Sequence, residues 1–303
     1  MLANRIPRLT VTRFMGWFSQ IRHPWIFRPS MAVWQLFTDL DLSDARKKKF
    51  DSLHDCFTRE LMPGARRIDP DVAVLTSPCD GIVGSCGKVE AGQVFQAKGF
   101  PYSMQDLFGP TQNVPAFQDG VFVTIRLTSA MYHRFHALQD GVVEHVTYLR
   151  GDTWNVNPIT LKRVGRLFCR NERAVLRIRL SSGHEIALVP VAAILVASLR
   201  LHFLDLLLHG RYDGPAEIPC PCRAPITKGG EVGYFQHGST IIVFAPQEFQ
   251  LCEGINAGTG IRLGQRLLHL APPPAPLPEH LSHCQALFSA FPRNSDPAPW
   301  PVW

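Results

Sequence analysis

Short runs that are apolar, or that alternate apolar and polar residues, recur along the chain between Pro63 and Leu270. Alternation with a period of two is typical of half-buried strands, and residues 121–127 (VFVTIRL) show it clearly. Gly, Pro and Asp separate the runs as turn residues do. The pattern predicts strands at 72–75, 81–84, 121–127, 141–149, 174–180, 186–199 and 240–244.

Three segments depart from this pattern. Residues 42–61 predict a helix capped by Ser43, with Lys47, Lys48 and Lys49 on its solvated side. Residues 157–168 predict a second helix, because Pro158 suits a first helical turn. Residues 201–208 fit either a helix or a strand. Together the segments predict an α+β fold whose β-rich domain spans 63–270.

The N-terminal segment is basic and aromatic. Its first 38 residues contain no Asp or Glu, and its arginines are Arg5, Arg8, Arg13, Arg22 and Arg28. Every apolar run in this segment is interrupted by a charged residue or by Pro7, Pro24 or Pro29. Each run is therefore shorter than the ~20 residues that a helix needs to cross a bilayer. Arginines drawn to anionic head groups, with Trp and Phe at the interface, describe a segment lying on a membrane. Residues 1–62 are therefore predicted to be a helical, membrane-facing segment; a transit peptide and a helix packed only against the protein stay open.

The overall charge indicates which class of partner the protein binds. A net charge of +6 favours an anionic partner. The basic residues form no helix-turn-helix, zinc-finger or RNA-binding signature, so a membrane surface is preferred to nucleic acid. The 8 cysteines have no zinc-like spacing, which predicts reduced thiols and no metal. Residues 271–303 are rich in Pro and predict an extended tail.

The segment Gly238-Ser239-Thr240, placed just before the apolar run 241–246, predicts a self-cleavage site. Gly has no Cβ, so it permits the bent backbone in which the hydroxyl of Ser239 attacks the carbonyl of Gly238. Removal of the Cα proton of Ser239 opens the resulting ester and breaks the chain at this bond. Ser239 becomes dehydroalanine, and hydrolysis of this group releases ammonia and leaves a pyruvoyl ketone. By itself the triplet also fits a turn that enters a buried strand.

Further motifs occur in a fixed order along the chain. They are Ser77-Pro78-Cys79-Asp80-Gly81, Gln96-Ala97-Lys98-Gly99, Tyr132-His133-Arg134-Phe135-His136, the segment 151–157 (GDTWNVN) and Asn171-Glu172-Arg173. With the Gly-Ser site they make residues 46–270 resemble the phosphatidylserine decarboxylase family. The sequence departs from that pattern at His237, before the scissile pair, and at Ala137, after the second histidine.

The resemblance implies residue roles. Asp80, His136 and Ser239 match the Asp-His-Ser set for self-cleavage, in which the imidazole is the base and the carboxylate holds it. His133 matches the proton donor of the decarboxylation. Candidate substrate contacts are Lys98, Arg134, Asn155, Asn157 and Arg173.

The resemblance also implies the reaction. Phosphatidylserine forms a Schiff base with the pyruvoyl group made from Ser239, and loss of CO₂ gives phosphatidylethanolamine. The implied cofactor is this covalent group alone. The β chain 1–238 and the α chain 239–303 are expected to stay associated, and a homodimer is left open. The expected location is peripheral, on the cytoplasmic face of a bacterial inner membrane, with the mitochondrial inner membrane as the alternative.

Other functions stay open at this point. A decarboxylase of the same type could act on another serine-headed lipid or on a soluble amino acid. An uncleaved hydrolase could use Asp80, His136 and Ser239 as a triad. A non-enzymatic lipid-binding protein would likewise keep an intact chain.

Overall fold

The computed structural model describes residues 8–97, 100–109, 114–193, 198–204, 206–209, 223–236 and 239–272. Its helices are α1 (Arg8–Phe18), α2 (Pro24–Phe37), α3 (Leu53–Phe57), α4 (Met104–Phe108), α5 (Pro158–Leu161) and α6 (Leu167–Arg170), with a 3₁₀ turn at Pro115–Phe117. Its strands are β1 (Val74–Thr76), β2 (Gly81–Lys88), β3 (Gln93–Ala97), β4 (Phe100–Ser103), β5 (Val121–Arg126), β6 (Arg134–His136), β7 (Gly141–Leu149), β8 (Arg173–Leu180), β9 (Glu185–Ala192), β10 (Ser198–Leu201), β11 (Leu206–His209), β12 (Ala224–Ile226), β13 (Glu231–Phe235), β14 (Ser239–Ala245), β15 (Phe249–Leu251), β16 (Gly260–Ile261) and β17 (Arg266–Leu270).

An eight-stranded sheet, in the order β12-β7-β8-β9-β14-β5-β2-β16, forms the centre of the described chain. Smaller sheets have the orders β11-β10-β13-β6, β1-β17-β15 and β3-β4. The β-rich α+β prediction is therefore confirmed.

β14 lies inside the large sheet and is buried on both of its faces. Ile241 and Val243 enter one hydrophobic cluster with Phe135 and Phe235, which belong to the four-stranded sheet. Ile242 and Phe244 enter a second cluster, where Phe108 and Phe168 of the short helices cover the other face. Burial of alternate residues on opposite faces fixes the register of β14, because a shift of one residue would exchange the two sets.

The predicted helix over 42–61 is wrong. Only Leu53–Phe57 is helical there, and it begins at Ser52, whose side chain accepts from the amide of Asp55. Before it, the amide of Ser43 donates to Asp41, a local bond that competes with a helix. After α3 the chain turns back, and Leu61 forms an antiparallel bridge with Ala45. A continuous helix would hold these two residues far apart.

The predicted helix over 157–168 is correct only at its start. Asn157 caps α5 and Pro158 occupies its first turn, but α5 ends at Leu161. α6 begins after Arg166, whose φ of 53° lies in the left-handed region. A left-handed residue interrupts a right-handed helix, so one predicted helix becomes two short ones. In the ambiguous segment 201–208, Leu201 ends β10 and Leu206–His209 form β11.

Met1–Leu270 form one compact unit, and Ala271–Trp303 form a second, of which only Ala271 and Pro272 are described. The predicted boundary at residue 62 falls inside the first unit and stays a prediction. Within it, the guanidinium of Arg59 donates to the carbonyl of Ala130, and Arg66 pairs with Asp44.

Gly233 of β13 tests the packing within the four-stranded sheet, between β13 and its neighbours β10 and β6. A Cβ there would overlap the carbonyl oxygen of Arg200 and lie 2.9 Å from the ring of Phe135. We expect Gly233→Ala to lower the free energy of unfolding by about 1–3 kcal/mol in thermal or urea unfolding. Gly260→Ala is the matched control, because nothing lies within 4 Å of its Cβ position. Equal stability of the two variants would contradict this packing.

Candidate active site

The first residues of β14 lie between the ends of two strands. The backbone of Ser239 pairs with Ala192, the last residue of β9, and Thr240 pairs with Arg126, the last residue of β5. His237, Gly238 and Lys98, which the sequence singled out, lie outside the described residues. The residue that would follow the predicted cleavage, Ser239, is thus held by main-chain pairing on one side and followed by a fully paired strand.

The hydroxyl of Thr240 is a buried polar group directly after that position. Thr240 is 0% exposed, and within the described chain its Oγ1 has no hydrogen-bond partner. A buried hydroxyl without a partner costs about 1–3 kcal/mol. The hydroxyl of Thr240 therefore marks a buried polar position in β14 directly after Ser239.

Asp80 lies in a tightly held turn between β1 and β2. One carboxylate oxygen accepts from the amide of Leu263, and the other lies 2.6 Å from the guanidinium of Arg66, which also binds Asp44. The sequence expected this carboxylate to hold His136. In the structure its hydrogen bonds go to Arg66 and Leu263, so a direct Asp80–His136 bond stays a prediction.

His136 ends β6, and its backbone amide donates to the carbonyl of Pro78 in the Asp80 turn. Its Nδ1 lies 2.9 Å from the carbonyl oxygen of Gly229, and its Nε2 lies 3.0 Å from the hydroxyl of Tyr132. A carbonyl oxygen only accepts, so Nδ1 carries the proton and Nε2 accepts from Tyr132. The nitrogen able to act as a base is therefore Nε2.

Burial lowers the pKa of His136 below its ordinary value of 6.5. The bond to Gly229 and the charges of Glu231 and Asp80 act in the opposite direction but are outweighed. The imidazole is consequently neutral at pH 7, as a general base must be.

His133 is fully buried on the segment that leads into β6. Its ring lies against Phe57 of α3 with 3.9 Å between centroids, and its Nδ1 donates to the carbonyl of Met131 over 2.8 Å. The two histidines of the motif therefore have separate surroundings, and each has its Nδ1 fixed by a backbone carbonyl.

Two of the predicted substrate contacts are engaged within the protein. Arg173 donates to the carbonyls of Asp106, Leu107, Cys169 and Asn171, and burial lowers its pKa to about 10. Arg134 donates to the carbonyls of Thr58 and Arg59 and pairs with Glu231. These bonds occupy both guanidinium groups in holding loops.

An apolar cavity of about 750 Å³ adjoins the start of β14. Met15, Phe18 and Val33 of the N-terminal helices line it on one side, and Arg126 and Ala193 line it beside the scissile position. The predicted contacts Asn155 and Asn157 also line it.

A polar cavity of about 710 Å³ lies next to the apolar one. Its lining includes Asp80, Arg66 and Tyr132, and it shares Thr128 and Ser129 with the apolar cavity. The loop after β5 thus separates an apolar compartment from a charged one, which matches the two halves of an amphipathic molecule.

Several residues of the site were missed by sequence reasoning. Tyr132 and Gly229 set the proton positions on His136, and Arg66 binds Asp80. Two of the missed residues had a signal: Tyr132 opens the histidine motif, and Glu172 lies within the Asn171-Glu172-Arg173 motif. Glu172 was also missed: burial raises its pKa to about 7, and its carbonyl accepts from Ala192, the partner of Ser239.

The assignment of His136 predicts a measurable protonation state. In ¹⁵N-histidine NMR we expect Nδ1–H at neutral pH and a titration midpoint below 6.5. Because the unfolded chain would take up this proton at a higher pH, the group lowers stability as the pH falls below 6.5. Tyr132→Phe should leave the proton on Nδ1, because the Gly229 carbonyl remains. An Nε2–H tautomer or a midpoint above 6.5 would refute the assignment.

Comparison with known proteins identifies the family. A family model described as phosphatidylserine decarboxylase matches residues 53–269. A protein of Sodalis glossinidius named phosphatidylserine decarboxylase proenzyme is 32% identical over 283 residues, which cover 88% of this chain and 94% of that protein. A protein of the same name from Pseudomonas fluorescens is 36% identical over 278 residues, covering 86% and 93%. The resemblance seen in the motifs is confirmed, and the chain belongs to the phosphatidylserine decarboxylase family.

Proposed function

We propose that this chain is a phosphatidylserine decarboxylase that cleaves itself between Gly238 and Ser239 and takes its lipid from a membrane surface. The observation that carries the proposal is the apolar cavity, because it joins the N-terminal helices to the residues flanking the start of β14. An acyl chain gains free energy from leaving water for such a cavity, and a free amino acid does not. The cavity therefore favours a lipid over a soluble amino acid as substrate.

Ser239 is the proposed source of a pyruvoyl group, and its position at the start of β14, with its backbone paired to Ala192, supports this proposal. A ketone at this position supplies an electron sink for the decarboxylation of a primary amine. During cleavage, Nε2 of His136 accepts the proton of the Ser239 hydroxyl after exchanging its bond with Tyr132. The charge of Asp80 favours the imidazolium that this transfer produces.

His133 is the proposed donor of the proton that replaces the carboxylate. Its Nδ1–H is held by the carbonyl of Met131, so Nε2 has a proton to give only after it has taken one up and the ring is an imidazolium. Its complete burial excludes bulk water, which would otherwise compete as a proton source.

The N-terminal helices are the proposed membrane-facing surface. Trp25, Leu36 and Phe37 of α2 are 86%, 78% and 79% exposed, far more than apolar side chains of that size usually are. Arg13, Arg22 and Arg28 are exposed on the same two helices and the turn between them. In the described part of the chain, no helix combines the length and the hydropathy needed to cross a bilayer. We propose peripheral attachment to an anionic membrane, on the cytoplasmic face of a bacterial inner membrane.

The two products of cleavage are proposed to stay together. β14, which would begin the α chain, is paired with β5 and β9 and buried on both faces. Its release would expose those apolar side chains and break both ladders. Association of two copies of the protein stays a prediction.

Intact-mass spectrometry under denaturing conditions tests maturation. The wild-type protein should give two chains, 1–238 and 239–303, and the smaller should carry a pyruvoyl group in place of its terminal amine. Ser239→Ala should give one chain of 33.9 kDa, while Ser182→Ala, at an exposed turn, should mature normally. An uncut wild-type protein would contradict self-cleavage and would favour an uncleaved hydrolase or a non-enzymatic lipid-binding protein.

Sedimentation with vesicles containing phosphatidylglycerol tests the membrane surface. The double variant Trp25→Ser, Phe37→Ser should bind vesicles at least about tenfold more weakly, because each buried large apolar side chain contributes roughly 1.5–3 kcal/mol. Val72→Ser with Ile159→Ser is the control, because these apolar residues are 83% and 63% exposed and belong to neither α1 nor α2. Equal loss in both double variants, or no loss in either, would rule out this surface.

A further inference from the structure

Arg126 is a cation in the lining of the mainly apolar cavity. It is half-buried at the end of β5, and it lines the cavity with Met15, Phe18 and Val33. Within the described chain its guanidinium has no hydrogen bond and no ion pair, and no Asp or Glu lines the cavity. Arg66, Arg134 and Arg173 differ, since all three are bonded to carbonyls or carboxylates.

A guanidinium withdrawn from water without a partner is unfavourable, so this position suits an anion that arrives with a ligand. Further donors lie beside it. The hydroxyls of Thr128 and Ser129 have no partner within the described chain, and both residues line the same cavity. A guanidinium with hydroxyl donors is a common set for binding phosphate oxygens.

We propose that Arg126, with Thr128 and Ser129, binds the phosphodiester of the phospholipid, which makes Arg126 a residue that selects phospholipids over phosphate-free amphiphiles. This inference rests on the proposed function and specifies how its substrate is recognised.

The location of Arg126 agrees with the order of groups in the lipid. Arg126 pairs with Thr240, so it lies one strand spacing, ~4.8 Å, from the strand that begins with the reacting residue. The acyl chains would extend toward α1 and α2, the phosphate would meet Arg126, and the serine group would continue to residue 239. Thr128 and Ser129 mark where the apolar and polar cavities meet.

The phosphate, rather than the serine carboxylate, is the productive partner. A strong ion pair on the carboxylate would stabilise the ground state and disappear as CO₂ leaves, which would slow the reaction. The phosphate keeps its charge throughout, so binding it lowers KM without opposing the chemical step. Substitution of Arg126 is therefore expected to change KM far more than kcat.

The test uses the matured enzyme and three variants. Arg126→Gln removes the charge, Arg126→Lys keeps it, and Arg179→Gln is the control, at an exposed strand end outside both cavities. With short-chain phosphatidylserine, Arg126→Gln should raise KM at least about tenfold, the size of one lost charge-assisted bond, with kcat within about twofold. Arg126→Lys should recover part of the loss, and Arg179→Gln should match the wild type.

Calorimetric binding separates phosphate recognition from a general change in the cavity. Hexylphosphoethanolamine should bind Arg126→Gln about tenfold more weakly than it binds the wild type, as expected for one charge-assisted contact. O-hexylethanolamine, which lacks the phosphate, should bind both proteins equally, and inorganic phosphate should bind neither at the same concentration.

Each other outcome overturns the inference. Equal weakening of both hexyl ligands would mean that Arg126 only shapes the cavity, and a fall in kcat alone would place it in the chemistry. Tight binding of inorganic phosphate would indicate a site for free phosphate. A wild-type enzyme that bound the hexyl ligands as expected but did not decarboxylate phosphatidylserine would refute the proposed function and leave the phosphate site standing.

Discussion

The burial of β14 on both faces is the constraint on which the site depends. Alternate residues of the strand enter two separate hydrophobic clusters, so its register relative to β5 and β9 cannot slip. Residue 239 is therefore held at a defined point beside Ala192, without any need for its own side chain to be anchored. The cleavage that we propose at this point would not loosen the fold, because the strand after it is fully paired. The same burial explains why two chains produced there would stay together.

Backbone carbonyls, more than carboxylates, orient the ionisable side chains of the site. Gly229 and Met131 fix the Nδ1 protons of His136 and His133, and carbonyls occupy most donors of Arg173 and Arg134. A carbonyl orients an imidazole without adding the full negative charge that would raise its pKa strongly. His136 can thus be both fixed in orientation and neutral. Asp80, paired with Arg66, contributes only a weak field at this imidazole.

The sequence predicted those parts of the structure that local patterns control. Residues 141–149 form a strand as predicted, and the strands at 121–127, 174–180 and 240–244 are correct to within one residue at each end. The predictions fail where contacts between distant residues determine the local structure. For example, the bridge between Ala45 and Leu61 prevents a long helix over 42–61. Motif order located Asp80 and His136, but it could not show that Arg66 or Gly229 would be their partners. Those partners are distant in sequence and carry no pattern, and Arg126 looked only like a polar position in an alternating strand.

An amphipathic substrate needs an apolar surface for its acyl chains and a polar surface for its head group. The described residues provide these two surfaces in adjacent cavities. The wall formed by α1 and α2 offers apolar surface that is continuous with side chains exposed to solvent, so a lipid need not be fully withdrawn from a membrane before it enters. The end of β5 then places one cation, followed by two hydroxyls, where that apolar surface stops. A charge placed deeper would face a larger desolvation cost, and one placed further out would be screened by water. The boundary between the compartments is therefore where a single arginine can contribute most to recognition, one strand away from the reacting residue.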